Sequence, residues 1–347
     1  MARVKEAAAE ALTAVEEQSV AQTGRAESTE SDAATAPEKL ARLPGPAQFV
    51  LAVALSFGIS SLGRLSVDYL TPGELAYIAR PPSSRTEEAI IAGWKLLGLA
   101  LGWLAEFDGY DLASLALLSH GPATFLVSVF YGIRWLTAGA YLGVEVVSAS
   151  LPFLLLRHLS GAHSAKQTPN REIVADRFIQ VLTSLQAGLV YSVVLFMAGR
   201  TFLPTTFVLH FDGIPTIKPA VDAVFLGFGG LPTGILSLLF GLAARSFIFA
   251  PFITAPQTLE DQEMAKFDPA SATLGQTVAW NLWGYTTKTK VSIIRTAVAM
   301  VFTAVGTYVD TALSIKGVDS CGAVVYASVW VLAALLTGCI LTYVGNI

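Results

Sequence analysis

Lys95, His120 and Glu145 each interrupt an apolar run of this chain, and each can carry or exchange a proton. A charged side chain near the bilayer centre costs about 3 kcal/mol or more, so such residues turn toward protein or a water-filled cavity. In AIIAGWKLLGLALGWLAEF, Lys95 shares a helix face with the small residues Ala92, Gly98 and Gly102, and the Gly98/Gly102 pair permits close helix approach. Glu145 lies on a stripe with Ala138, Tyr141, Ser148 and Pro152, at a depth that makes Lys95 its natural partner. His120 stands immediately before Gly121-Pro122 in the middle of its run, where proline predicts a kink that frees carbonyls. Together the three predict a buried polar cluster, which either lines a substrate or proton path or is a structural hydrogen-bond network between helices.

A second group is EFDGYD, residues 106 to 111, with carboxylates at Glu106, Asp108 and Asp111. Acids at a helix N-terminus are favoured by its dipole, which predicts a cap and turn. The alternative is a hard-cation site, for which several oxygens must converge on the metal, with Asp261 as a further ligand. Asp222 and Asp310, beside Thr303, Thr307, His210 and Asp212, suggest an acidic outer vestibule or simply solvated loops. Arg245 and Arg295 fall where snorkelling to lipid phosphate is the default expectation, and His158 and His163 of RHLSGAH are expected to be solvated. No HExxH, GxSxG or glycine-rich phosphate loop occurs.

The elements that hold these residues follow from composition. The chain has 347 residues, 53% hydrophobic and only 14% charged, far from the roughly 25% charged residues of a soluble domain. Runs of about 20 apolar residues cross the hydrocarbon as helices, since no water is there to pair the backbone. The fold class expected is all-α, a polytopic transmembrane bundle of about eight spans: 47–63, 88–106, 111–133, 135–156, 178–199, 221–248, 291–313 and 322–345. The domain plan is a disordered cytosolic tail at 1–45, four spans in 46–156, a basic cytosolic linker at 157–177, and four spans in 178–347. The last part contains a re-entrant or interfacial segment at 200–219, too short to cross, and a cytosolic loop at 249–290. Thr71 and Glu74 in LTPGELAYIAR have capping-box spacing and predict a short interfacial helix. Trp280, Trp283 and Tyr285 read as an interfacial anchor.

The tail carries eight acidic residues and no apolar core, unlike a secretory signal. In this topology the inner segments hold twelve Lys and Arg residues, the outer segments seven and the spans three, so both termini are expected in the cytosol. Cys321 and Cys339 lie about 27 Å apart along one helix, too far to bridge. A net charge of -4 carries no nucleic-acid signature. No cofactor is expected. Membrane lipids and a small-molecule or ion substrate are the partners expected, and the oligomeric state stays open.

EFDGYD resembles, in position, the aspartate-rich motif of the intramembrane prenyltransferases, which lies after the second span and holds Mg²⁺ on an isoprenyl diphosphate. Phe107 and Leu115 stand where that motif has Asn and a third Asp. The second motif would fall in LEDQEMAKFD, where Glu260, Asp261, Glu263 and Asp268 lack its four-residue step. Separately, SLGRLSVDYLTPGEL and FDGYDLASLALLSHGPATFLVSVFYGI look like multi-span membrane proteins encoded by filamentous fungi, a group with no assigned chemistry, which implies an endomembrane setting. The function expected is transport of a small molecule or ion, with a structural or scaffolding membrane protein and a prenyltransferase-like enzyme as alternatives.

Overall fold

Eight long helices, mostly apolar, account for nearly all the elements that could cross a membrane. The computed structural model describes residues 44–164, 168–221, 231–267 and 272–346, so the tail up to residue 43, Asp222 and Asp268 lie outside it. Nine of the described helices are labelled α1 (Gly45–Leu70), α2 (Arg85–Leu104), α3 (Gly109–Val129), α4 (Trp135–Leu156), α5 (Arg177–Arg200), the short α6 (Leu203–His210), α7 (Leu231–Ala244), α8 (Thr287–Tyr308) and α9 (Ser320–Asn346), with further short helices at Arg171–Ala175, Lys218–Val221, Leu259–Ala265 and Leu274–Trp283. Seven are long and apolar enough to span a bilayer, α7 together with its continuation to Thr254; α2, which carries Glu87, Glu88 and Lys95, is not among the seven. Among the described residues there is no β-strand, only two isolated bridges. The chain is thus an all-α integral membrane protein.

Several boundaries differ from the sequence reading, each for a local reason. α1 runs on past residue 63, so Arg64 and Asp68 belong to a helix and not to a loop. α7 does not stop at 248: it passes through a π-helical turn, Arg245–Phe249, into Ala250–Thr254, where Phe252 and Ile253 are buried. Residues 72–78 form successive turns in place of the expected interfacial helix. Glu74 is drawn away from capping because its carboxylate accepts from the Thr137 hydroxyl at 2.6 Å and pairs with Arg134 at 3.2 Å. α6 is eight residues long, too short to cross, and buries Leu203 and Phe207.

α3 is the hub. It packs on α4, α7 and α8, while α5 packs on α7 and α9, and α8 on α9. Small residues set the closest approaches. A Cβ on Gly241 of α7 would land on the Ser184 carbonyl of α5, so Gly241→Ala is expected to cost about 1–3 kcal/mol by forcing those helices apart. A thermal melt of the purified variant unchanged from wild type would contradict this packing. The aromatic stack of Phe125, Tyr191, Phe240 and Trp330 fills the space between α3, α5, α7 and α9.

α1 and α2 pack more loosely. Their contacts are side-chain ones at small residues: Gly63 against Val144, Gly98 against Phe302, and Gly102 against Leu112. At the α8–α9 end, backbone pairing ties the connection to two other loops: Arg80 N–H bonds Ser314 O and Lys316 N–H bonds Ile78 O on one side. On the other, Asp212 N–H bonds Gly317 O and Asp319 N–H bonds His210 O. Those groups would be unpaired without this clamp, since the helices have ended.

Candidate functional site

Two polar centres sit on α3, about 18 Å apart along its axis, one at Asp108 and one at His120. The centre at His120 is built from five helices. Glu145 of α4, buried, accepts from Lys95 Nζ of α2 at 3.2 Å, from Arg64 Nε of α1 at 2.9 Å and from Ser60 Oγ at 3.2 Å. Lys95 also donates to Ser148 Oγ at 3.0 Å. His120 Nδ1 lies 2.6 Å from Asp310 Oδ2 of α8's extension. Arg64, Lys95, His120, Glu145 and Asp310 line one cavity of about 80 Å³, together with Leu99, Leu112, Leu115 and Phe302.

The structure therefore brings Lys95 and Glu145 into contact, and places His120 on the same cavity but bonded to Asp310. Asp310, expected in an outer vestibule with Asp222, faces the cavity from the side of α8 that carries the buried Thr303 and Thr307, and a π-helical turn, Val309–Leu313, begins beside it. The carbonyl freed at Ala312 is taken by Arg80 Nη1 at 2.8 Å. Arg64 was missed because an arginine after an apolar run reads as the end of a span. Of the other residues expected in the vestibule, His210 pairs with Asp319 at 3.2 Å, the Asp212 backbone belongs to the clamp, and Asp222 lies outside the described residues. Proline 122 does not break α3; the Tyr326 hydroxyl donates to the Pro122 carbonyl at 2.7 Å.

The centre at Asp108 contains the EFDGYD carboxylates. Asp108 is the N-cap of α3, with its Oδ1 accepting from Tyr110 N–H and Asp111 N–H, both at 2.9 Å, in a capping box with Asp111. Its Oδ2 accepts from Ser160 N–H at 2.9 Å and meets His163 Nδ1 at 2.7 Å. Asp111, fully buried, takes Arg295 Nη1 at 2.6 Å and Nη2 at 3.3 Å. Arg295 also donates to Phe247 O and lies over the Phe107 and Phe247 rings, so it is held inside the protein and does not snorkel. Arg245 likewise turns inward, to Val174 O. His163, expected in solvent, is half-buried and reaches Ser246 Oγ with Nε2 at 3.1 Å, whereas His158 is exposed.

Asp108, Asp111 and His163 could together offer three ligand atoms to a metal ion. Their lone pairs are already committed to backbone N–H groups, to each other and to Arg295, and a guanidinium in the shell opposes a cation electrostatically. Asp261 is occupied elsewhere: it accepts from Thr258 N–H and from Thr287 at the start of α8, and Glu260 pairs with Lys290. The facing pair of acidic motifs required by the prenyltransferase resemblance is thus not assembled by Asp108, Asp111, Glu260 and Asp261.

The Asp108–His163 bond makes the linker sensitive to pH. Burial opposes charge on both groups, but their mutual attraction prevails, holding the Asp108 carboxyl below its usual range and raising His163 above the ordinary 6.5. The raised histidine contributes stability fully below pH 6.5, and that contribution is lost as pH climbs through its folded value. Asp108 contributes above its unfolded value of 3.8, so the bond is strongest between these limits. Hydrogen exchange in the 157–164 segment is expected to quicken from about pH 5.5 to about pH 8.5, beyond the intrinsic base-catalysed rise, and His163→Gln should remove the excess. An excess that persists in the variant would assign it to another group.

Comparison with models of known protein families, with curated proteins and with solved structures finds no match to this chain.

Proposed function

We propose that this membrane protein moves a small molecule or ion through the cavity at His120. The observation that carries the reading is that cavity itself: about 80 Å³ of space with Lys95, His120, Glu145, Arg64 and Asp310 on its wall. Ionisable groups within spanning helices are expensive, and a cavity that keeps them beside open space is how solute and proton paths use them. The loosely packed α1 and α2 form one wall, against the tightly packed α3 and α8, so opening requires few contacts to break. The excess of Lys and Arg in the alternate loops favours both termini on the cytosolic side.

A second reading, a structural or scaffolding membrane protein, draws on the mutual bonding of the same groups: Glu145 is satisfied by Ser60, Arg64 and Lys95 without any solute. Single cysteines at Ala116 and Ala149, which line the cavity without joining an ion pair, distinguish the two. With Cys321 and Cys339 replaced by serine, a membrane-impermeant thiol reagent should modify both introduced positions if water reaches the cavity. Protection of both in a folded protein would defeat transport and leave the structural role.

A further inference from the structure

We infer that the solute is a small organic monoanion with an apolar body, taken up together with one proton on His120; this rests on the transport reading. Hydrogen-bond capacity decides the sign of the ligand. The carboxylates are engaged: Glu145 by Arg64, Lys95 and Ser60, and Asp310 by His120. A cation entering would find one open carboxylate oxygen, Asp310 Oδ1, in a cavity whose Arg64 and Lys95 charges repel it. The cations keep spare donors. Lysine has three N–H groups, and Lys95 uses two, on Glu145 and Ser148. Arg64 spends Nε and Nη2 on Glu145, and among the described residues Nη1 has no hydrogen-bond partner.

Charge counting gives the proton. Arg64 and Lys95 from α1 and α2 balance Glu145 and Asp310 from α4 and α8, so the cavity is neutral while His120 is neutral. These four are the charged groups facing His120 from the helices around it. An ionised Asp310 only accepts, so Nδ1 of His120 carries hydrogen and Nε2 is an acceptor in the neutral ring. Protonation at Nε2 makes that nitrogen a donor and the cavity singly positive. One bound anion restores neutrality, and release of the anion and proton together restores the starting state. Low-dielectric surroundings make either charge alone costly, which couples the two.

The remaining lining gives the ligand its shape. Leu99, Leu112, Leu115 and Phe302 offer apolar surface, and Trp94 adds its largely apolar ring. By the measure in which a water takes about 10–15 Å³, a cavity of about 80 Å³ holds a body of roughly six or seven non-hydrogen atoms. A short carboxylate or sulfonate fits; a diphosphate or a long acyl chain does not.

The probe is propane-1-sulfonate, which stays anionic and does not leak across lipid as a neutral acid, so any proton that moves rides on the protein. Radiolabelled probe would be followed into proteoliposomes of the whole chain and, separately, onto the detergent-solubilised protein by equilibrium dialysis. Expected is saturable uptake that rises at least tenfold from about pH 8 to about pH 5.5, with internal acidification. His120→Gln, shown to be folded by an unchanged melting profile, should lose that pH dependence. Propyltrimethylammonium should not be carried. Acid-dependent binding without uptake would uphold the ligand class and overturn transport. Carriage of propyltrimethylammonium but not the sulfonate would overturn the anion assignment and leave transport standing. Absence of both binding and uptake, or uptake indifferent to pH, would overturn the inference.

Discussion

Arg295→Met is expected to destabilise the protein by about 3–5 kcal/mol, the largest effect of any single change at the two centres. The guanidinium is the only cation hydrogen-bonded to Asp111 among the described residues, and Asp111 is completely buried. Without it, a carboxylate stays inside the protein with only weak N–H contacts to offset lost hydration. Methionine fills much of the volume between Phe107 and Phe247, so the loss is electrostatic more than steric. Replacing the pair, as Asp111→Leu with Arg295→Met, should recover most of the loss, because the uncompensated charge has gone. Equilibrium unfolding in lipid nanodiscs would measure both. A single variant within about 1 kcal/mol of wild type would mean that water reaches Asp111 or that its carboxyl takes up a proton.

Glu145→Gln is expected to cost about 3 kcal/mol, through Lys95 more than through Arg64. The Lys95 side chain is 19% exposed and that of Arg64 is 50% exposed, so the arginine can find solvent or lipid headgroups once its partner is neutral. A double-mutant cycle with Lys95→Met should therefore show coupling of about 1–3 kcal/mol, and one with Arg64→Met less than about 1 kcal/mol. Equal couplings would place Arg64 in a drier setting than its exposure indicates. This variant also separates stability from flux: Glu145→Gln combined with Lys95→Met keeps cavity volume and removes one charge of each sign.

The eight apolar runs were legible because length and hydropathy depend on nothing beyond the run itself. So was the cap at Asp108, where an acid precedes a helix, and the shared depth of Lys95 and Glu145. What could not be read were partners that arrive from distant segments. His163 sits in a polar linker whose composition says surface, and only the fold brings it 2.7 Å from a buried aspartate 55 residues earlier. Arg295 lies near a helix end, where an unpartnered arginine would snorkel; Asp111, 184 residues away, prevents it. Arg64 was lost to a boundary error, since α1 ends at Leu70 and not at 63. Asp310 differs: its shared face with Thr303 and Thr307 was legible, but its partner His120, 190 residues earlier, was not.

The π turn at Val309–Leu313 also fixes what a change of chain length here would touch. A π turn is an α-helix with one residue inserted. Deleting Thr311 or Ala312 would remove that insertion on the C-terminal side of Asp310, while Thr303 and Thr307 upstream keep their buried face and Asp310 with them. The charges of the cavity would stay as they are, and the change would fall on Ala312 O, the carbonyl that Arg80 Nη1 takes at 2.8 Å. Chain length at this one turn thus bears on how the segment before α2 is tied to the end of α8, not on the charge that lines the cavity.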